Sequence, residues 1–374
     1  MSHPHLPSHD TSVLAERRGR LGVITLNRAP ALNALSLAMV REIARLLQAW
    51  AADDGVEAVF IHGAGRPGKA PAFCAGGDIR FFHQAALAGD PRLEDFFTEE
   101  YALNHLIHAY PKPYIAWMDG ICMGGGMGIT QGASHRVVTE HSKLAMPETH
   151  IGLFPDVGGG WFLSRCEGHL GEYLALTGQV LGAADAMAVG LADIAVPAAT
   201  LAEVLDELAA LPRLTVQRVG DVLRGHALGD AGAATVVAHR DDIDRHFGLA
   251  DMPAIERSLQ AAVEGGSDWA RRTLDTLHHQ SPLMCAVTLE QVRRARSMTL
   301  ADDLRMERDL VRHCFHLRPG TASETVEGIR ALAVDKDHAP RWNPPNAGEV
   351  QRADVEAFFV SPWPAAAHPL AHLR

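Results

Sequence analysis

At 374 residues the chain exceeds one average domain, and an apolar share of 47% with a charged share of 21% describes a soluble globular protein with ample core. A formal net charge of −11 argues against nucleic acid as a partner, because neutralising phosphates takes a basic surface. No apolar run reaches the ~18 residues of a membrane span, and the opening M-S-H-P-H-L-P-S-H-D lacks a charged-then-apolar signal pattern, so no membrane partner is expected and the cytoplasm is the expected compartment. Cys74, Cys122, Cys166, Cys285 and Cys314 form an odd set without C-x-x-C spacing, which indicates neither a disulfide framework nor a zinc site. The 21 histidines lack ligand spacing flanked by carboxylates; His278, His279, His313 and His316 read as solvated or packed side chains, and no metal is expected.

In chain order, V-L-A-E, R-R-G-R and L-G-V-I-T-L-N-R predict strand, turn and strand, with Gly19 in the turn. Ser36 is an N-cap for a helix whose apolar face is Leu37, Val40, Ile43, Leu47 and Trp50. A strand follows at Val56 to His62, then a loop carrying Gly76 and Gly77 ahead of Asp78. Composition turns helical from Phe81 to His108, and Pro111-Lys112-Pro113 stops the helix and launches a strand. Thr200-Leu201-Ala202-Glu203 has the pattern of a capping box opening a helix with Leu201, Val204, Leu205 and Leu208 on one face. From about 212 to 280, Gly229, Gly232, Gly265 and Gly266 mark loops between short helices, and Ser281-Pro282 starts another helix.

The chemistry concentrates between Tyr114 and Trp161. An apolar run ending at Asp119-Gly120 leads into Gly124-Gly125-Gly126 and a helix-compatible segment. Such a turn offers backbone N–H groups to a ligand at hydrogen-bond distance, and at a helix start the unpaired N–H groups and the dipole favour negative charge. Downstream, Glu148 and Asp156 sit in two short loops rich in Pro and Gly. Anion-stabilising donors with two carboxylates suggest acyl or enolate chemistry.

This stretch resembles the signature of the crotonase (enoyl-CoA hydratase/isomerase) superfamily. M-P-E-T-H-I-G-L-F-P-D-V-G-G-G-W-F-L resembles its 3-hydroxyisobutyryl-CoA hydrolase branch, as do F-F-T-E-E-Y-A-L-N and H-R-D-D-I-D-R-H-F. The resemblance runs from about Val13 to Trp342. It implies an α/β fold, a crotonase-like spiral of repeated strand-strand-helix units with a C-terminal helical region. The expected division is a flexible N-terminus at 1–12, a core at 13–211, the helical region at 212–345 and a tail at 346–374. It further implies an oxyanion hole from the N–H groups of Gly77 and Gly125, and Glu100 near the acyl end of the substrate, accepting a hydrogen bond from its hydroxyl.

Hydratases of the superfamily hold one water between two glutamates, one aligned with Glu148 and one at the position that is Gly128 here, so ordinary hydration is put in doubt. The hydrolase branch pairs the Glu148 position with that of Asp156. Glu148 would be nucleophile, through a transient anhydride, or base for an attacking water, and Asp156 would assist proton transfer and positioning. The implied reaction is hydrolysis of a short 3-hydroxyacyl-CoA thioester in valine catabolism, with coenzyme A as part of the substrate and no separate cofactor. Hydration or isomerisation of an enoyl thioester, and non-catalytic acyl-CoA binding, are the alternatives. Because coenzyme A is polyanionic, local cations must meet its phosphates. The lysine that relatives carry in the first motif is Pro30 here, leaving Arg28, Arg80 and Lys336 as candidates. A homo-oligomer is possible.

Overall fold

The computed structural model describes residues 11–66 and 68–374. Most of the expected N-terminal segment 1–12, as far as residue 10, lies outside the described residues. Two compact units form, each drawn from three segments: residues up to Gly77 with Ala102–Leu144 and Val180–Ala238, and Asp78–Tyr101 with Ala145–Gln179 and His239–Arg374. The expected boundary at 211 falls inside the last segment of the first unit.

Among the described residues the first unit is built on nine strands: β1 (Val13–Arg18), β2 (Leu21–Leu26), β3 (Ala58–Gly63), β4 (Ala72–Cys74), β5 (Tyr114–Met118), β6 (Ile121–Met123), β7 (His135–Val138), β8 (Lys143–Ala145) and β9 (Ile194–Ala195). They order into a six-stranded sheet, β1-β2-β3-β5-β7-β9, and a three-stranded sheet, β4-β6-β8. From β3 onward successive strands alternate between the sheets, which is the expected strand-strand-helix spiral. Among the described residues only β1 and β2 pair antiparallel in the larger sheet, joined by the turn at Gly19. Parallel strands with both faces covered call for continuous apolar runs, and all five residues of β5, Tyr-Ile-Ala-Trp-Met, are buried.

Ser36 caps the helix Leu37–Ala52 by accepting from the Met39 N–H at 3.2 Å, and Val40, Ile43, Leu47 and Trp50 are buried as their spacing predicts. The central core joins Leu21, Val23, Phe60, Ile115 and Trp117 of the sheet to Val204, Leu205 and Leu208 of the helix Leu201–Ala210. That helix starts where expected but not by a capping box. A preceding 3-10 turn, Ala198–Thr200, leaves Thr200 at φ −88° and ψ 1°, and its hydroxyl donates back to the Pro197 carbonyl at 2.8 Å. A cap needs extended backbone at that residue to aim its oxygen at the third N–H.

The second unit is helical. The segment expected as one helix from Phe81 is two, Ile79–Ala88 and Arg92–His108, broken at Gly89 (φ 64°) and Pro91. Ser281 caps the helix Pro282–Ala295 by accepting from the Met284 N–H at 3.2 Å. A ladder of rings packs Phe82 against Phe96 at 4.8 Å, Phe96 against Phe97 at 5.5 Å, and Phe97 against Tyr101 at 6.1 Å, which fixes where Tyr101 points. All five cysteines are free thiols in buried positions, and burial pushes the Cys122, Cys285 and Cys314 thiols well above their ordinary range.

Candidate active site

Two glycine turns of the first unit come together. A Cβ built on Gly76, itself at φ 105°, would lie 3.6 Å from the Gly125 nitrogen and 3.3 Å from the Met123 carbonyl oxygen. Gly126 allows this approach, since a Cβ there would fall 2.4 Å from the Cys74 carbonyl oxygen. Gly124 turns the chain at φ 49°, and Gly125 is the first residue of the helix Gly125–Gln131, so its N–H has no intrahelical acceptor. Among the described residues no backbone carbonyl takes the N–H of Gly77 or of Gly125. Gly126→Ala is expected to destabilise the protein by about 2 kcal/mol or more, because the clash is with backbone and cannot be relieved by a rotamer. A urea midpoint unchanged from wild type would contradict this contact.

In the second unit, Glu100, Glu148 and Asp156 are all buried, at 2%, 7% and 5% exposure. Glu148 opens a 3-10 turn, Glu148–Ile151, that ends at Gly152 with φ 66°. The turn is held from several sides: the Ser281 N–H donates to the Thr149 carbonyl at 3.1 Å, the Thr325 hydroxyl to the Gly152 carbonyl at 2.6 Å, and the Thr149 hydroxyl to the Leu176 carbonyl at 3.3 Å. Asp156 lies in a strained bend, where Val157 has φ 57° and Gly158 φ 86°. A β-branched residue in the left-handed region costs free energy that surrounding structure must offset.

Tyr101 donates its phenolic O–H to Asp156 Oδ2 at 2.8 Å. Burial raises the tyrosine well above its ordinary range, so it keeps that proton. Among the described residues Glu148 Oε2 and Glu100 Oε1 are buried with no hydrogen-bond partner. A buried carboxylate oxygen without a donor is costly unless it is protonated or meets a ligand. Burial is the largest cause that raises all three acids, and Glu100 and Glu148 are raised further by Asp156. Asp156 itself is pushed up to about 7, its rise limited by the Tyr101 hydrogen bond. Three acids so coupled titrate as a set rather than singly, and at neutral pH they cannot all be ionised. The cluster therefore holds ionised and protonated carboxyl groups together, two of whose oxygens, Glu148 Oε2 and Glu100 Oε1, meet no donor among the described residues.

The family model for enoyl-CoA hydratase/isomerase matches residues 21–359. The chain belongs to the enoyl-CoA hydratase/isomerase family. Within this family it is 39% identical over 364 residues to the 3-hydroxyisobutyryl-CoA hydrolase of Rattus norvegicus, covering 96% of this chain and 92% of the relative. It is 40% identical over 366 residues to the Xenopus tropicalis protein of that name, with the same coverage. Both names carry the word mitochondrial, which the cytoplasmic expectation from residues 1–10 does not match. Among solved structures, a carnitinyl-CoA dehydratase from Mycobacterium thermoresistibile has a TM-score of 0.83 and 38% identity, covering 94% of this chain and 97% of that one. An enoyl-CoA hydratase from Rhodobacter sphaeroides also has a TM-score of 0.83, with 37% identity and coverage of 94% and 98%. No helix among the described residues is long and apolar enough to cross a membrane.

The basic candidates differ from one another in setting. Arg28 is half-buried and donates to the Ala34 carbonyl at 3.0 Å, while Arg80 and Lys336 are exposed, Lys336 on left-handed backbone with φ 59°. What reading the sequence missed is the surroundings of the acids. The sequence motifs single out none of Tyr101, Gln291, Asp303 and Glu307. A signal existed in the helix Leu300–His316: its buried stripe of Leu300, Leu304 and Val311 is interrupted by Asp303 and Glu307, four residues apart and both buried.

Proposed function

We propose that this family member hydrolyses 3-hydroxyisobutyryl-CoA to 3-hydroxyisobutyrate and coenzyme A, as a step of valine breakdown. The thioester oxygen is received by the N–H groups of Gly77 and Gly125, which stabilise the oxyanion formed when the carbonyl carbon becomes tetrahedral. Glu148 supplies the attack, through its own carboxylate or through a water it deprotonates; both routes need an ionised oxygen without a protein donor. Asp156 handles the proton and Glu100 meets the substrate hydroxyl. Coenzyme A leaves as the thiol once it has taken up a proton; on the nucleophilic route a water then cleaves the acyl–Glu148 anhydride, releasing 3-hydroxyisobutyrate and restoring the carboxylate. The observation that carries this reading is the buried pair Glu148 and Asp156, with the Glu148 Oε2 unpartnered, in a chain 39% identical over nearly its whole length to a curated hydrolase of that name.

Hydration of an enoyl thioester is the second reading, favoured by the likeness to a carnitinyl-CoA dehydratase and an enoyl-CoA hydratase. Against it stands Gly128, buried in the helix Gly125–Gln131, where hydratases carry their other glutamate. One pair of assays separates the two. Purified protein with 3-hydroxyisobutyryl-CoA is expected to release free thiol, and with a short enoyl-CoA to leave the enoyl absorbance unchanged. Loss of enoyl absorbance without thiol would replace the hydrolase with a hydratase.

A further inference from the structure

Behind Asp156 lies a second buried acid pair that touches the bend rather than the site. Glu307 and Asp303, fully buried on the helix Leu300–His316, accept a run of backbone N–H groups that follows Asp156. Glu307 Oε2 takes the Gly158 N–H at 2.7 Å and Oε1 the Gly160 N–H at 2.9 Å. Asp303 Oδ2 takes the Trp161 N–H at 2.9 Å. Gln291 spans the other side, its Nε2 donating to the Pro155 carbonyl at 2.7 Å and to Glu307 Oε1 at 3.1 Å. The residues on both sides of Asp156 are thus bonded to one cluster. The fit is tight, because a Cβ on Gly160 would meet Asp303 Oδ1 at 2.5 Å and Gln291 Nε2 at 3.0 Å.

Two carboxyl groups in one dry pocket cannot both carry charge cheaply. Burial, and after it the neighbouring Asp303, raises Glu307 well above its ordinary range, and burial pushes Asp303 up to about 7. Three backbone N–H groups around the start of the helix Gly159–Leu163 thus converge on the two carboxyl groups.

We propose that Glu307, with Asp303 and Gln291, is a clamp that holds the strained 155–161 bend and so positions Asp156 for the reaction; Glu307 is a positioning residue, not a catalytic one. The clamp supplies what offsets the left-handed backbone at Val157. This rests on the role given to Asp156 above.

The test uses the full-length protein and thiol release from 3-hydroxyisobutyryl-CoA, with kcat and KM measured for Asp156→Asn, Glu307→Gln, Asp303→Asn and the Asp156→Asn/Glu307→Gln double variant. Glutamine at 307 cannot accept both glycine N–H groups. Its kcat is expected to fall roughly ten- to a hundredfold with KM within about threefold of wild type, since a misplacement near 1 Å costs that order of rate. Asparagine at 303 still accepts from Trp161 through its amide oxygen and leaves the Glu307 and Gln291 contacts to the bend in place, so it is expected to stay within about threefold of wild type. In the double variant Glu307→Gln is expected to cost less than about threefold beyond Asp156→Asn, because a residue acting through Asp156 has nothing left to position. Losses that multiply, beside an impaired Asp156→Asn, overturn the clamp alone. A fully active Asp156→Asn overturns the functional reading and the clamp with it. If Glu307→Gln does not accumulate as folded protein, Gln291→Met, which removes the amide joining Glu307 to the Pro155 carbonyl, takes its place in the same comparison.

Discussion

Glu148→Gln is expected to abolish thiol release from 3-hydroxyisobutyryl-CoA, by roughly 10³-fold or more, while leaving thioester binding near wild type. The amide is nearly isosteric with the carboxyl group, but it is neither nucleophilic nor basic. The 3-10 turn that carries residue 148 is held by Ser281, Thr325 and Thr149, none of which bonds the 148 side chain, so the backbone should not move. Binding and chemistry then separate: calorimetry with the substrate on the variant should return an affinity within a few-fold of that for an unhydrolysed analogue on wild type. Retained turnover in Glu148→Gln would remove Glu148 from the mechanism. Loss of binding as well would assign it to recognition instead.

For Asp156→Asn the expected loss in kcat is about 10²-fold, the usual worth of a positioned proton carrier. Two further effects follow from charge and have opposite signs for activity and stability. Asp156 raises the Glu148 carboxyl by repulsion. Its replacement by a neutral amide therefore lowers the Glu148 value, and the acid limb of the residual pH–rate profile should move to lower pH. For stability, the folded value of Asp156 is about 7, raised from an ordinary 3.8. The native state then binds more protons than the unfolded state between these values, so the contribution of this group is fully present below pH 3.8 and is lost as pH rises through about 7. Asp156→Asn should accordingly melt higher than wild type at pH 8, by an amount on the order of a few kcal/mol, and show little gain at pH 4. An acid limb that stays in place, or a variant no more stable at pH 8 than wild type, would mean that the two carboxyl groups do not share a dry environment.

Much of this arrangement was legible in the sequence, for reasons that differ by residue. The glycines at 76–77 and 124–126 announce backbone exposed to a ligand because no other residue allows it, and the hairpin, the Ser36 and Ser281 caps and the wholly apolar β5 follow from local rules. Glu148 and Asp156 could be singled out because they stand among Pro and Gly in short loops. Glu100 could not be told from a surface glutamate without the resemblance, since its burial depends on the ring ladder and on side chains far away in sequence. Asp303 and Glu307 lie more distant still, Glu307 bonding residues 147 and 149 positions earlier. Local pattern carries no record of such a contact, except that two acids interrupt an apolar stripe. Thr200 shows the opposite failure: the letters of a capping box are present, but a 3-10 turn upstream turns its hydroxyl toward Pro197.

The five buried cysteines give the protein a convenient property at the bench. A disulfide reagent that reports the coenzyme A leaving group reacts only with accessible thiolate; burial denies it access to all five cysteines and disfavours ionisation of Cys122, Cys285 and Cys314. Turnover can therefore be followed continuously without a blank drifting from the enzyme itself. In denaturant the same reagent counts five equivalents per chain, so one chromophore reports catalysis in the native state and global opening beyond it.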